Sequence, residues 1–138
     1  MSRFVLDCST AMAWCFEDES NLRADAVLAS LASNEAIVPS VWPLEVANTL
    51  AVSERRRRVA EADIKSFLQM LKGLPIAIDD QASRRAFDEA LSLARRWQLS
   101  AYDAAYLDLA LRTGCPLASL DGPMNEAAVG LGVALFEG

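Results

Sequence analysis

Four short apolar runs, Phe4-Val5-Leu6, Ala36-Ile37-Val38, Ile76-Ala77-Ile78 and Leu117-Ala118-Ser119-Leu120, alternate along the chain with longer stretches of helical spacing. Short strands separated by helices cannot close as hairpins. They predict a mostly parallel sheet, covered on both faces and reached by right-handed crossovers. The expected fold class is therefore α/β, a three-layer α/β/α arrangement around a central, mostly parallel sheet of four to five short strands. The 138 residues, 53% hydrophobic, suit one compact unit over 1–138.

The helices have readable ends. Ser9 and Thr10 are placed to cap a helix over 11–16, and another is expected over about 21–32. Pro43 suits the first turn of a helix that runs to Arg55, Arg56, Arg57 and Arg58. A fourth covers about 61–71 and stops at Gly73. Asp79 or Asp80 can cap a long helix carrying Phe87, Leu91 and Ala94 toward Trp97, and Ser100 opens the next, closed by Gly114 and Pro116. Asp121-Gly122-Pro123 turns into a short helix, and Val133-Ala134-Leu135 is expected to be a small last strand.

Composition removes several chemistries. The chain has no histidine, which excludes Ser-His-Asp and Cys-His catalysis and histidine-ligated zinc. Its three cysteines, Cys8, Cys15 and Cys115, form no C-x-x-C pair, so neither a disulfide framework nor a thiolate zinc site is indicated. A reducing cytoplasm is the simplest compartment, and no apolar stretch approaches a membrane span. A net charge of -6 argues, taken alone, against a plain nucleic-acid binder.

In an open parallel sheet, ligands bind outside the carboxyl ends of the strands. Asp7 follows the first strand and Asp121 the fourth; Glu45 and Asp103 lie in the first turns of helices near that edge. Singly, each acid has a structural explanation. Asp7 can satisfy loop donors, Asp121 can form a turn, Asp103 completes Ser-x-x-Asp, and Glu45 favours a helix N-terminus. Asp103, however, shares a helical face with Tyr106, Leu107 and Ala110, and a carboxylate on an apolar stripe needs a partner. Asp108 faces elsewhere and is expected to be a solvated surface acid. Four converging carboxylates repel one another unless a cation sits among them, and an oxygen-only ligand set selects Mg²⁺ or Mn²⁺. Such an ion can activate water against a phosphodiester. Ser9 and Ser119 are placed to help hold a metal-bound water or a phosphate, with capping as the alternative. Trp14, Trp42 and Trp97 are expected in the core or a dimer contact.

Four segments now stand together: Phe4-Val5-Leu6-Asp7-Cys8-Ser9, Glu45 within Pro-Leu-Glu-Val-Ala-Asn-Thr-Leu, Ser100-Ala101-Tyr102-Asp103-Ala104-Ala105-Tyr106-Leu107, and Leu117-Ala118-Ser119-Leu120-Asp121. Their order and spacing resemble the PIN-domain pattern over the full length, and in particular the VapC toxins of VapBC toxin-antitoxin pairs. The resemblance implies a PIN-like fold and a metal-dependent RNA endonuclease. It makes Asp7, Glu45, Asp103 and Asp121 the acidic quartet that binds Mg²⁺ or Mn²⁺, with Ser9 and Ser119 beside it. It also implies a homodimer and a cognate VapB-like antitoxin. Asn125 stands where some relatives carry another acid, which bears on a second metal position. Two Mg²⁺ would move the formal charge from -6 to about -2. Arg55 to Arg58 are then the leading candidates for phosphate contact, against the alternative of a solvated run that complements its helix dipole. Two rivals remain: a PIN-like RNA- or protein-binding module that does not cut, and a receiver-type or phosphatase domain with Asp7 as phosphoacceptor. The second lacks the acid or lysine expected at its strand ends.

Overall fold

A computed structural model describes residues 2–16 and 21–138. The four apolar runs form β1 (Arg3–Leu6), β2 (Glu35–Pro39), β3 (Ile76–Asp79) and β4 (Leu117–Ala118). All pair in parallel, in the order β3-β2-β1-β4. The register sets Val5 beside Ile37 and Leu117, and Val38 beside Ile78. β1 is therefore central, and Phe4, Val5 and Leu6 are fully buried, as expected for a strand covered on both faces. β3 is an edge strand, with Ala77 and Ile78 exposed.

The helices are α1 (Cys8–Ala13), α2 (Leu22–Ser30), α3 (Trp42–Arg55), α4 (Glu61–Lys72), α5 (Ala82–Arg85), α6 (Leu91–Trp97), α7 (Ala101–Thr113) and α8 (Gly122–Gly130). α7 packs across β1, β2 and β4 with α6 and α8 against it, while α1 joins α2 and α3. The three-layer α/β/α expectation holds. Asn21 caps α2 by accepting the Arg23 and Ala24 N–H groups, and Pro43 lies in the first turn of α3.

Four expectations need correction. Asp7, not Ser9 or Thr10, holds the N-cap position of α1. Both hydroxyls lie inside the helix and reach other groups, Thr10 Oγ1 donating to the Ala118 carbonyl at 3.2 Å. The long helix toward Trp97 is interrupted by a π-helical turn at Ala86–Ala90, and Gln81, not an aspartate, precedes its first turn. The extra residue shifts the helical phase, so Ala90 is buried and Phe87 is 89% exposed. The expected last strand is a single parallel bridge, Leu117 to Leu135, anchored by Phe136 stacking on Phe4 with centroids 4.2 Å apart.

The fourth correction is Asp108, which is buried. It accepts both Arg85 Nε (2.6 Å) and Arg85 Nη2 (2.9 Å), and Arg112 Nε lies 3.5 Å away. Arg112 in turn reaches Asp79 at 2.9 Å. Five residues from Asp103 does turn Asp108 to another face, but that face meets α5 and β3. The ion pairs compensate a carboxylate that burial alone would penalise.

Candidate active site

The site grows from the end of β1. Asp7 is 4% exposed, and its Oδ2 accepts two hydroxyls, Ser9 Oγ and Ser119 Oγ, each at 2.7 Å. Each serine oxygen also accepts a backbone N–H: Ser9 Oγ from Leu120 and Ser119 Oγ from Asp121, both at 3.0 Å. Because those oxygens already accept, their protons are directed to Asp7. The serines thus hold Asp7 and tie it to the β4–α8 loop.

The other three acids arrive from different elements. Glu45, in the first turn of α3, accepts the Tyr106 hydroxyl on Oε1 at 2.6 Å. Asp103, in the first turn of α7, donates its N–H to Ser100 Oγ at 3.0 Å, so Ser100 caps as the sequence predicts. Asp121 caps α8 by accepting the Met124 N–H on Oδ1 at 2.9 Å. The turn reading of Asp121 is therefore true, whereas of the Ser100–Asp103 capping box only the Ser100 half is seen; both carboxylates keep acceptor capacity over.

Electrostatics bring the four into one neighbourhood. Burial pushes the Asp7 carboxyl above the aspartate range; the serine hydroxyls oppose it, and the Asp121 charge adds to it. Glu45 is raised by burial and then by Asp7 and Asp103, with Tyr106 opposing. Asp103 is raised by burial and then by Asp7 and Asp121, with Ser100 opposing. Among the described residues, none of the four is in a salt bridge. Nor do any three acid or thiol side chains among those residues sit tightly enough to hold a metal ion as they stand. The donor chemistry nevertheless fits a hard divalent cation: oxygen ligands only, with Asp7, Glu45 and Asp103 raised by burial and then by neighbouring carboxylate charge that such an ion would offset.

Tyr106 is the residue that helical spacing undersold. It reads as one more apolar position, yet a fully buried phenol needs an acceptor, and that requirement was the available signal. Ser9 and Ser119 support Asp7 itself. Cys8 lies beside the acids with its thiol pushed up to about 12 by burial and by the Glu45, Asp7 and Asp103 charges, which keeps it protonated and poorly nucleophilic. Cys15 and Cys115 are partly exposed thiols. Trp42 is buried, and Trp14 and Trp97 are half-buried against the core. Asn125 Nδ2 donates to the Ser119 carbonyl at 2.9 Å, and its buried Oδ1 has no hydrogen-bond partner among the described residues. Arg23 Nη2 reaches the same carbonyl at 3.3 Å. Arg55 to Arg58 are all exposed, and only Arg58 turns back, its guanidinium 3.9 Å from the centroid of the Phe16 ring.

The family model for the PIN domain matches residues 4–130. The chain belongs to the PIN-domain family. Members of that family are generally nucleases that use divalent metals. Among solved structures, this PIN domain is similar to PAE2754 from Pyrobaculum aerophilum, with TM-score 0.68, 19% identity, and 91% of this chain and 84% of that one covered. It is also similar to VapBC2 from Rickettsia felis bound to a DNA fragment from their promoter, with TM-score 0.67, 11% identity, and 97% of each chain covered. At these identities the likeness shows the fold. A search of curated proteins finds no match. Among the described residues, no helix is long and apolar enough to cross a membrane.

Proposed function

We propose that this PIN domain, working as one unit over residues 1–138, is a Mg²⁺- or Mn²⁺-dependent RNA endonuclease and the toxin of a toxin-antitoxin pair. The observation that carries the reading is the shared electrostatic neighbourhood of Asp7, Glu45, Asp103 and Asp121 at the carboxyl edge of a parallel sheet, with no salt bridge to any of them among the described residues. These four residues would hold the ion. When bound, such an ion would lower the pKa of a water and offset negative charge on the phosphate, the chemistry that hydrolysis of a phosphodiester requires. Ser9 and Ser119 fix the Asp7 carboxylate through Oδ2. Tyr106 orients Glu45, and the α7 and α8 N-termini present Asp103 and Asp121.

Exposed Leu44, Phe87 and Tyr102 leave apolar surface that a homodimer or a VapB-like antitoxin would cover. The VapBC2 neighbour supports the antitoxin reading. Three free thiols suit a reducing cytoplasm. One observation favours a second reading, a PIN-like binding module that does not cut: among the described residues the acids are not drawn together tightly enough to hold an ion unaided. The deciding experiment incubates total RNA with purified, partner-free protein in Mg²⁺, Mn²⁺ or EDTA, alongside Asp7→Asn and Asp103→Asn. Metal-dependent cleavage lost in both variants is expected. Identical behaviour of wild type and variants, with RNA or protein binding retained, would favour the binding module.

A further inference from the structure

A chain of net charge -6 that gathers four carboxylates gains little by holding an RNA strand through its phosphates alone. The bases offer an uncharged handle, and an aromatic ring can grip them whatever their sequence. Tyr102 is placed to supply such a ring. Two local turns fix the segment that carries it. Gln98 closes α6 in the left-handed region, at φ 55°, and the Leu99 N–H donates to the Ala94 carbonyl at 3.0 Å. Ser100 then caps α7 by accepting the Asp103 N–H. Tyr102 thus stands in the first turn of a helix, on a rigid element, yet it is 62% exposed.

Its place in α7 sets what it stands beside. Asp103 is the next residue, so ring and carboxylate leave adjacent backbone positions. Tyr106 lies one turn further on, and its 2.6 Å bond to Glu45 ties the start of α7 to the start of α3. There the residue before Glu45 is Leu44, which is 72% exposed. Each of the two helix starts therefore presents an acid and, next to it, an uncovered apolar side chain. The positions around them are polar or small: Ser100 and Ala101 on one side, Ala47 and Asn48 on the other, all exposed. By themselves two such side chains fall short of the roughly 800 Å² per partner that a stable protein interface covers, whereas one ring suffices for one base.

We infer that Tyr102 is the stacking platform for the base of the nucleotide next to the cut, with Leu44 flanking it on the α3 side. This rests on the RNA nuclease reading. Stacking uses the face of the ring and asks nothing of a particular base edge, so the platform holds a strand against the acids without choosing its sequence. A partner protein that covers Tyr102 would compete with the strand for the same ring.

The test titrates a labelled single-stranded RNA of mixed sequence into Asp7→Asn protein in Mg²⁺, and into the same background carrying Tyr102→Ala or Tyr102→Phe. Tyr102→Ala should weaken binding about tenfold and leave the salt slope unchanged, since a neutral ring displaces no counterions. Tyr102→Phe keeps the ring face and should bind as the parent does, which separates loss of stacking from loss of fold. With 2-aminopurine in the strand, fluorescence quenching on binding should be kept by Tyr102→Phe and lost in Tyr102→Ala. Tyr102→Ala binding with the parent's affinity, or Tyr102→Phe binding as weakly as Tyr102→Ala, overturns the platform. So does a Tyr102→Ala protein whose mass by light scattering falls to half the parent's, because the ring then belongs to an interface between copies. Cleavage by protein with Asp7 intact, assayed in parallel, tells the two failures apart. Metal-dependent cutting that Tyr102→Ala leaves unchanged removes the platform alone, whereas absence of both cutting and RNA binding removes the nuclease reading and the platform with it.

Discussion

Tyr106 has no exposed surface, and its hydroxyl is committed to one oxygen of Glu45. That bond counters the burial and like-charge repulsion that push Glu45 upward. Tyr106→Phe should therefore raise the Glu45 pKa further and move the acid limb of the cleavage pH profile to higher pH. The maximal rate should fall roughly tenfold, for a stability loss of only about 1 kcal/mol. A profile that keeps its shape while the rate drops would show that the phenol acts through packing alone. Asp7 supports a second expectation, read in EDTA. Burial holds its folded pKa above the ordinary aspartate value, so the folded chain binds this proton more tightly than the unfolded one. The contribution is fully present below the unfolded value and is lost as pH rises through the folded one. Asp7→Asn abolishes that loss, so the difference in melting temperature, variant minus wild type, should grow in the variant's favour as pH rises through that window. Asp79 works in the opposite sense. Burial would raise it, but Arg112 and the Gln81 N–H outweigh burial and hold it low, so its contribution fades as pH falls.

Among the elements, the strands were legible because each is a short apolar run stopped by a turn residue, and residues just beyond β1 and β4 could be placed at one edge without knowing any distance. Ser100 and Pro43 were legible as helix starts for the same local reason. The π-helical turn at Ala86–Ala90 was not, because one added residue in a turn leaves no mark on composition, although it rotates Phe87 out to solvent. Asp108 was misread because spacing along α7 gives a direction but not what waits there, and Arg85 and Arg112 come from other places in the chain. Asp108→Asn should lower the melting temperature while sparing cleavage, since the ion pairs lie outside the acid cleft. The α3 terminus carries the opposite kind of information. Arg57 adopts a left-handed conformation that costs a side-chain-bearing residue about 1–2 kcal/mol, partly offset by the unfolded-state freedom glycine adds. Arg57→Gly should therefore stabilise the protein by about 0.5–1 kcal/mol, measured as a higher urea midpoint with unchanged slope.

For the molecule as a whole, the net charge of -6 and the repulsion within the cleft make divalent ions a stability variable. At about a hundred times its dissociation constant, Mg²⁺ should stabilise the folded state by about 2.7 kcal/mol, seen as a rise in melting temperature that EDTA reverses and Asp103→Asn diminishes. No response to either reagent would count against the metal-binding reading. The Ser119 hydroxyl donating to Asp7, and the Leu120 N–H donating to Ser9 Oγ, join the end of β1 to a segment more than a hundred residues later. During synthesis, β1 can find β2 and β3 first, and β4 and the loop carrying Ser119 and Asp121 follow later. Until then a growing chain holds Asp7 with Ser9 but without Ser119 and without the fourth acid. Whatever chemistry the cleft performs is withheld from the machinery that is translating it until the segment carrying Ser119 and Asp121 has been made.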